Sequence, residues 1–88
     1  MQQIVYELSP IKIYRVKGTS LAFSLDTQES LTVLRFYEIS ADEVTYTKIG
    51  IRTSQIQLYS ALKSHRRMIC DIINNFIDTN PSYKHLLK

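Results

Sequence analysis

The chain has 88 residues, about one domain, of which 44% are hydrophobic, and its formal net charge is +3 at pH 7. The single cysteine, Cys70, excludes an intrachain disulfide and favours a reducing, intracellular compartment such as the nucleus or cytoplasm. No apolar run approaches the ~20 residues that span a bilayer, and residues 1–10 lack the basic start and apolar run of a signal peptide. We therefore expect neither a disulfide scaffold nor a membrane protein.

The first half of the chain has the composition of β-strands. Runs of β-branched and aromatic residues are separated by polar turns, Pro or Gly, which favours an antiparallel meander over strands joined by crossover helices. The predicted strands are residues 4–8, 11–17, 21–25, 31–39 and 44–52. We expect an N-terminal strand or arm at 1–17 and an antiparallel sheet at 20–52, with turns at 26–30 and 40–43.

The spacing of the apolar residues changes in the second half of the chain. There they recur every three or four residues, as on one face of a helix. The residues with this spacing are Leu58, Leu62, Ile69, Ile72, Ile73 and Phe76. Ser54 is suited to be the N-cap, and Asn80-Pro81 ends the pattern. The sequence predicts an α+β fold, in which a four- or five-stranded antiparallel sheet is followed by a long C-terminal amphipathic helix at 54–78 and a tail at 79–88.

The predicted helix is long for the sheet that it would cover. A helix of roughly 23 residues spans about 35 Å, and its second half is its most apolar part. Surplus apolar surface on a small domain often forms a subunit interface. We therefore expect a homodimer that is held through Ile69, Ile72, Ile73 and Phe76.

Residues suited to catalysis or metal binding are few and scattered. His65 and His85 lack the spacing of a metal-binding motif, and Cys70 has no second cysteine to complete one. His65 and Cys70 are five residues apart, which places them on different faces of the predicted helix, so the thiol has no base beside it. With Gly18 and Gly50 alone there is no glycine-rich phosphate loop. We expect a binding protein rather than an enzyme, without a cofactor or metal.

Basic and aromatic side chains alternate with the apolar residues of the predicted sheet. In the last strand, alternation places Tyr46, Lys48 and Arg52 on the outward face and turns Ile49 and Ile51 toward the helix. Proteins that hold single-stranded nucleic acid use cations along the phosphates and aromatic rings against unpaired bases. We therefore expect binding of single-stranded DNA or RNA. The candidate residues are Arg15, Lys17, Arg35, Tyr37, Tyr46, Lys48 and Arg52.

Other interpretations of these residues stay open. The basic face is equally well an ordinary solvated surface, and the protein is then a small protein–protein interaction module, regulator or inhibitor without nucleic-acid binding. Lys63, Arg66 and Arg67 on the predicted helix would be its alternative contact surface. The strand faces also depend on register, because a one-residue shift, or a bulge near Gly50, would exchange them.

Three segments follow one another along the chain: Arg35-Phe36-Tyr37, Lys48-Ile49-Gly50-Ile51 and Tyr59-Ser60-Ala61-Leu62. In this order they resemble the positive-cofactor-four family of single-stranded-DNA-binding transcriptional coactivators. The resemblance covers about residues 20–78 and implies a four-stranded sheet, a dimer through the helices and a concave face for DNA. It implies that Arg35, Tyr37, Lys48 and Arg52 lie near the nucleic acid. The expected role is in transcription, replication or repair.

Overall fold

The computed structural model describes residues 4–8 and 12–87. In this part of the chain, strands come first and helices follow. The strands are β1 (Tyr6–Leu8), β2 (Tyr14–Val16), β3 (Leu21–Gln28), β4 (Leu31–Ile39) and β5 (Tyr46–Ser54). The helix α1 spans Lys63–Thr79, and a 3-10 helix spans Pro81–Leu87. The predicted α+β class, with an antiparallel sheet before a C-terminal helix, is confirmed.

Each strand pairs antiparallel with the next one along the chain, so the order in the sheet is β1-β2-β3-β4-β5. β3 and β4 are joined by the two-residue turn Glu29-Ser30. The turn predicted at 26–30 is therefore shorter than expected, and Asp26 lies within β3. Parts of the predicted arm at 1–17 and of the predicted strand at 11–17 lie outside the described residues.

The core lies between α1 and one face of the sheet, which we call the covered face. Phe23 and Phe36 are direct partners on β3 and β4, and both are fully buried there. The ring of Phe76 on α1 stacks on Phe36 with the centroids 4.2 Å apart. Tyr6 and Tyr14 continue the aromatic layer toward the β1 edge. The ring of Tyr6 lies edge-on to Phe23, and the ring of Tyr14 stacks on Phe23. A layer of aromatic rings thus connects β1 with α1.

Residues 55–62, predicted as the first turns of the helix, form a non-helical segment along the covered face. The buried Leu58 donates its backbone N–H to Oγ1 of Thr32 on β4, at 2.8 Å. Two residues later, Oγ of Ser60 lies 2.6 Å from the hydroxyl of Tyr14 on β2. The segment therefore crosses the sheet from the end of β5 to β2, and we call it the crossing segment.

This path explains why the helix does not begin at Ser54. Three strand spacings of about 4.8 Å separate β5 from β2, or roughly 14 Å in all. Six residues of α-helix would advance only about 9 Å, whereas an extended chain covers the distance easily. The helix begins at Lys63 instead, after an N-cap residue, Leu62, whose side chain makes no capping hydrogen bond.

The residues predicted as a tail pack against the rest of the chain. Leu86 of the 3-10 helix is buried, and its carbonyl accepts a hydrogen bond of 3.0 Å from the N–H of Ser20. The ring of Tyr83 stacks on Phe76, with the centroids 6.1 Å apart. The C-terminal segment therefore closes the core beside α1.

The apolar face of α1 is buried against the core of its own chain. Ile69, Ile73 and Phe76 are each buried to 1% exposure or less, and Ile72 is half-buried against the same core. The helix has 17 residues, fewer than the roughly 23 that the sequence predicts. Of the four residues predicted to form the dimer interface, three are thus buried within the single chain.

Candidate nucleic-acid interface

The face of the sheet opposite α1 is the open face, and the strand register decides which side chains it carries. Tyr37 on β4 is the partner of Lys48 on β5 and of Ala22 on β3, so these three side chains share a face. That face is the open one, because the adjacent Phe36 points to the core. The candidate residues that the register assigns to the open face are Arg15, Arg35, Tyr37, Tyr46 and Lys48. Lys17 follows β2 at its rim.

A β-bulge in β5 breaks the simple alternation on which the face prediction was based. Phe36 pairs with Gly50, but the next residue, Tyr37, pairs with Lys48. Ile49 is therefore an extra residue in β5, and it packs against the core as predicted. On the N-terminal side of the bulge Lys48 faces outward, whereas on the C-terminal side the faces are exchanged.

Arg52 is the candidate that this exchange removes from the open face. Its register partner is the buried Leu34, so it lies on the covered face. Its guanidinium carbon is 5.2 Å from the ring centroid of Phe76, and Nη2 donates to Oγ1 of Thr79 at 2.7 Å. The expectation that Arg52 faces outward beside Lys48 is wrong. Ile51, expected to face the helix, is instead 45% exposed opposite Arg35.

Most cations of the open face are held by carboxylates. Nη1 of Arg35 lies 3.3 Å from Oδ2 of Asp26. Nη1 of Arg15 pairs with Oε1 of Glu43, while its Nε and Nη2 donate to the carbonyl of Thr19 at 3.2 and 3.1 Å. Lys48 differs from these two arginines, since no carboxylate of the described residues pairs with it.

Lys17 forms a looser pair at the rim of the sheet. Its Nζ is 3.9 Å from Oε2 of Glu7, and both side chains are well exposed. Of the four candidate cations that the described residues place on the open face and its rim, three are therefore paired. The candidate interface is close to neutral, although the whole chain is basic.

The turn between β4 and β5 presents Glu43 to Arg15. The hydroxyl of Ser40 donates to Oδ1 of Asp42, which also accepts the N–H of Val44 at 3.2 Å. These two hydrogen bonds, that of the hydroxyl foremost, lower the pKa of the Asp42 carboxyl below its ordinary value of 3.8. Glu43 itself has φ of 62°. The turn is thus ordered by hydrogen bonds among its own polar groups. Through the ion pair of Glu43 with Arg15, it also connects the β4–β5 hairpin with β2.

The basic cluster predicted on the helix is divided by the fold. The guanidinium of Arg66 lies 4.4 Å from the ring centroid of Tyr6, and its Nη1 donates to the carbonyl of Ser60 at 3.3 Å. Arg66 therefore holds the crossing segment and β1 in place. Lys63 and Arg67 remain exposed on α1, which lies on the opposite side of the sheet from Lys48.

His65 and Cys70 have structural contacts. Nδ1 of His65 accepts the N–H of Tyr59 at 2.9 Å, and the two rings stack with their centroids 5.9 Å apart. The Cys70 thiol donates to the carbonyl of Ile4 at 3.4 Å, and burial raises its pKa. Within residues 4–8 and 12–87, no three His, Cys, Asp or Glu side chains form a group that could hold a metal ion. None of the described helices is long and apolar enough to cross a membrane.

The acidic partners on the open face were not anticipated from the sequence. The sequence predicts that Asp26 lies in a turn. The observed turn is only two residues long, at Glu29-Ser30, so β3 extends further and brings the Asp26 carboxylate diagonally beside Arg35. Ser24, Asp26 and Gln28 continue the alternation of polar residues along the strand, and this pattern would have predicted that Asp26 lies in β3. Nothing local connects Glu43 with Arg15, which lies 28 residues earlier in the chain.

Comparison of the chain with protein-family models, with curated proteins and with solved structures found no match.

Proposed function

We propose that the open face binds single-stranded nucleic acid, through the part of it formed by β4 and β5. The observation that carries the proposal is the direct pairing of Tyr37 with Lys48, on the face that α1 leaves uncovered. Arg35 and Tyr46 flank this pair on the same two strands. The proposed role is binding rather than catalysis.

The spacing of the Tyr37–Lys48 pair suits one nucleotide. Directly opposed side chains on neighbouring strands have Cβ atoms about 5 Å apart, so a ring and an ammonium group can meet a base and its adjacent phosphate. Base–aromatic stacking contributes about 1–3 kcal/mol per base and tolerates any sequence. A duplex hides its bases in the stack, so the same pair would gain little from it. The expected ligand is therefore a single strand, bound without strong sequence preference.

Fluorescence anisotropy of a labelled single strand of ~20 nucleotides tests the proposal, with a duplex of the same sequence alongside. We expect tighter binding of the single strand. Tyr37→Ala should weaken it about 5- to 160-fold, the loss of one stacked base, and Tyr37→Phe should retain most of it. Lys48→Ala should also weaken binding.

Lys84→Ala is the matched control for Lys48→Ala. It removes the same charge from an exposed site on the 3-10 helix, away from the open face. Equal effects of the two lysine variants would mean that general charge, and not this face, governs binding. The absence of single-strand binding at low salt would refute the proposed function.

A protein-binding function is the second candidate, favoured by the near-neutral charge of the open face. Tyr and Arg are also enriched at protein interfaces, and the exposed Ile51 lies directly opposite Arg35 on this face. This candidate expects no affinity for the labelled strand. It also expects a partner whose binding is lost in Ile51→Asp and unchanged in Lys84→Ala.

A further inference from the structure

We propose that Asp26 and Glu43 are intrinsic competitors of phosphate on the open face: they retain Arg35 and Arg15 in ion pairs and leave Lys48 as the cation that contacts the nucleic-acid backbone. The inference rests on the proposed function and deepens it. It specifies a ligand that is held mainly through its bases, with about one phosphate contact.

Asp26 is itself held in place, which makes it an effective competitor. Its Oδ2 accepts a hydrogen bond of 2.9 Å from Nε2 of Gln28 and lies 3.3 Å from Nη1 of Arg35. Both members of the ion pair are about one-third to two-fifths exposed. A phosphate that approaches Arg35 must therefore displace the carboxylate of Asp26, which is held in position. The negative charge of that carboxylate also repels the phosphate.

Arg15 is restrained still more strongly. Three of its N–H groups are in use, one toward Glu43 and two toward the carbonyl of Thr19. Glu43 is presented by the ordered β4–β5 turn rather than by a freely moving side chain alone. A guanidinium that is occupied on several sides has little capacity left for a phosphate.

Lys48 has neither restraint. It is exposed, it has no carboxylate partner among the described residues, and Tyr37 lies directly opposite it. The Lys17–Glu7 pair, at 3.9 Å and well exposed on both sides, is too loose to be a competitor. Lys17 is nevertheless not counted among the phosphate contacts, because it follows β2 at the rim, three strands away from the strand of Lys48.

The number of phosphate contacts can be measured by salt titration. For single strands, log K falls with log salt at a slope of about −0.7 for each phosphate neutralised. Lys48 alone therefore predicts a slope of about −0.7. Asp26→Asn keeps the shape of the side chain, releases Arg35 and should steepen the slope to about −1.4. The double variant Asp26→Asn with Glu43→Gln should reach about −2.1.

The experiment is anisotropy titration of the wild type and these variants between about 50 and 200 mM salt. Asp26→Asn should also bind about fivefold more tightly at the lowest salt, as expected for one added surface ion contact. Glu43 lies on an exposed turn, so the single variant Glu43→Gln gives an independent measurement that does not depend on the folding of the Asp26 variant. Circular dichroism verifies the fold of each protein.

Failure of the competitor inference can be distinguished from failure of the proposed function. If the wild type binds single strands and requires Tyr37, but the slopes of all variants equal that of the wild type, the competitor inference is wrong and the proposed function stands. A wild-type slope near −2 would overturn the inference in the same way, because the arginines would already be contacting phosphate. If no protein binds at any salt concentration, the proposed function fails and the inference with it.

Discussion

Gly50 occupies the position in β5 where the sheet and α1 approach most closely. A Cβ atom at this residue would overlap the edge of the Phe76 ring and lie 2.7 Å from its Cζ. The ring cannot withdraw easily, because it is stacked on Phe36 on one side and faces the guanidinium of Arg52 and the ring of Tyr83. The absence of a side chain is therefore a packing requirement at this position.

We expect Gly50→Ala to lower the free energy of unfolding by about 1–3 kcal/mol, the usual cost of overpacking a core. Urea denaturation followed by circular dichroism measures it. Thr53→Ala, at an exposed position of the same strand, should change stability by less than about 0.5 kcal/mol. The cost of Gly50→Ala should shrink in a Phe76→Leu background, and an unchanged cost there would contradict the steric explanation.

The residue scale also shows where sequence patterns were sufficient and where they were not. The alternation of side chains along the strand correctly predicts that Ile49 faces the core and that Lys48 faces outward. It then failed for Ile51 and Arg52, since one extra residue in β5 shifts the alternation. The sequence indicates that a bulge near Gly50 would have this effect. The bulge places Gly50 on the covered face, where Phe76 packs against it, and that contact links residues 26 positions apart.

Among the elements, the β4–β5 turn is stabilised by the ionised form of one carboxylate. The hydrogen bonds from Ser40 and Val44 hold the pKa of Asp42 below its ordinary value. The stabilising contribution is therefore fully present above pH 3.8 and is lost as the pH falls through the lowered pKa. The turn should loosen on acidification, and with it the position of Glu43.

Carboxyl titration by nuclear magnetic resonance checks this expectation. The pKa of Asp42 should be below its ordinary value in the wild type and should rise in Ser40→Ala, which removes the strongest donor. Between about pH 5 and pH 2, Asp42→Asn should lose less stability than the wild type. Identical acid denaturation of the two proteins would show that the turn contributes nothing through this carboxylate.

The crossing segment is the element that the sequence predicted least well. Its apolar residues have helical spacing, yet Leu58 is anchored by Thr32, and Ser60 by Tyr14, so the segment does not form a helix. Local propensity favours a capped helix there. Contacts with two strands that lie 26 and 46 residues away override it.

At the scale of the whole molecule, the burial of the apolar face of α1 bears on the oligomeric state. Ile69, Ile73 and Phe76 pack against the sheet of their own chain. A dimer through these residues would require the helix to leave that sheet, at a cost of about 1.5–3 kcal/mol for each large apolar side chain exposed.

We therefore expect a mass of 10.3 kDa in solution, measured by light scattering coupled to size-exclusion chromatography. A mass of twice this value that persists on dilution would contradict the monomer. In that case the predicted helix-mediated dimer would be tested with Ile72→Asp, because Ile72 is the half-buried member of the set.

The sequence by itself determined that four or five strands follow one another with antiparallel connections, that a C-terminal helix comes after them and that alternation places Tyr37 and Lys48 outward. These are consequences of local periodicity and short turns, which each segment carries alone. The tertiary structure decided the start of the helix, the packing of residues 81–87, the position of Arg52 and the neutralisation of Arg15 and Arg35. Each of these depends on a contact between residues far apart in the chain, such as Phe76 with Gly50 or Glu43 with Arg15, and such contacts leave no local pattern.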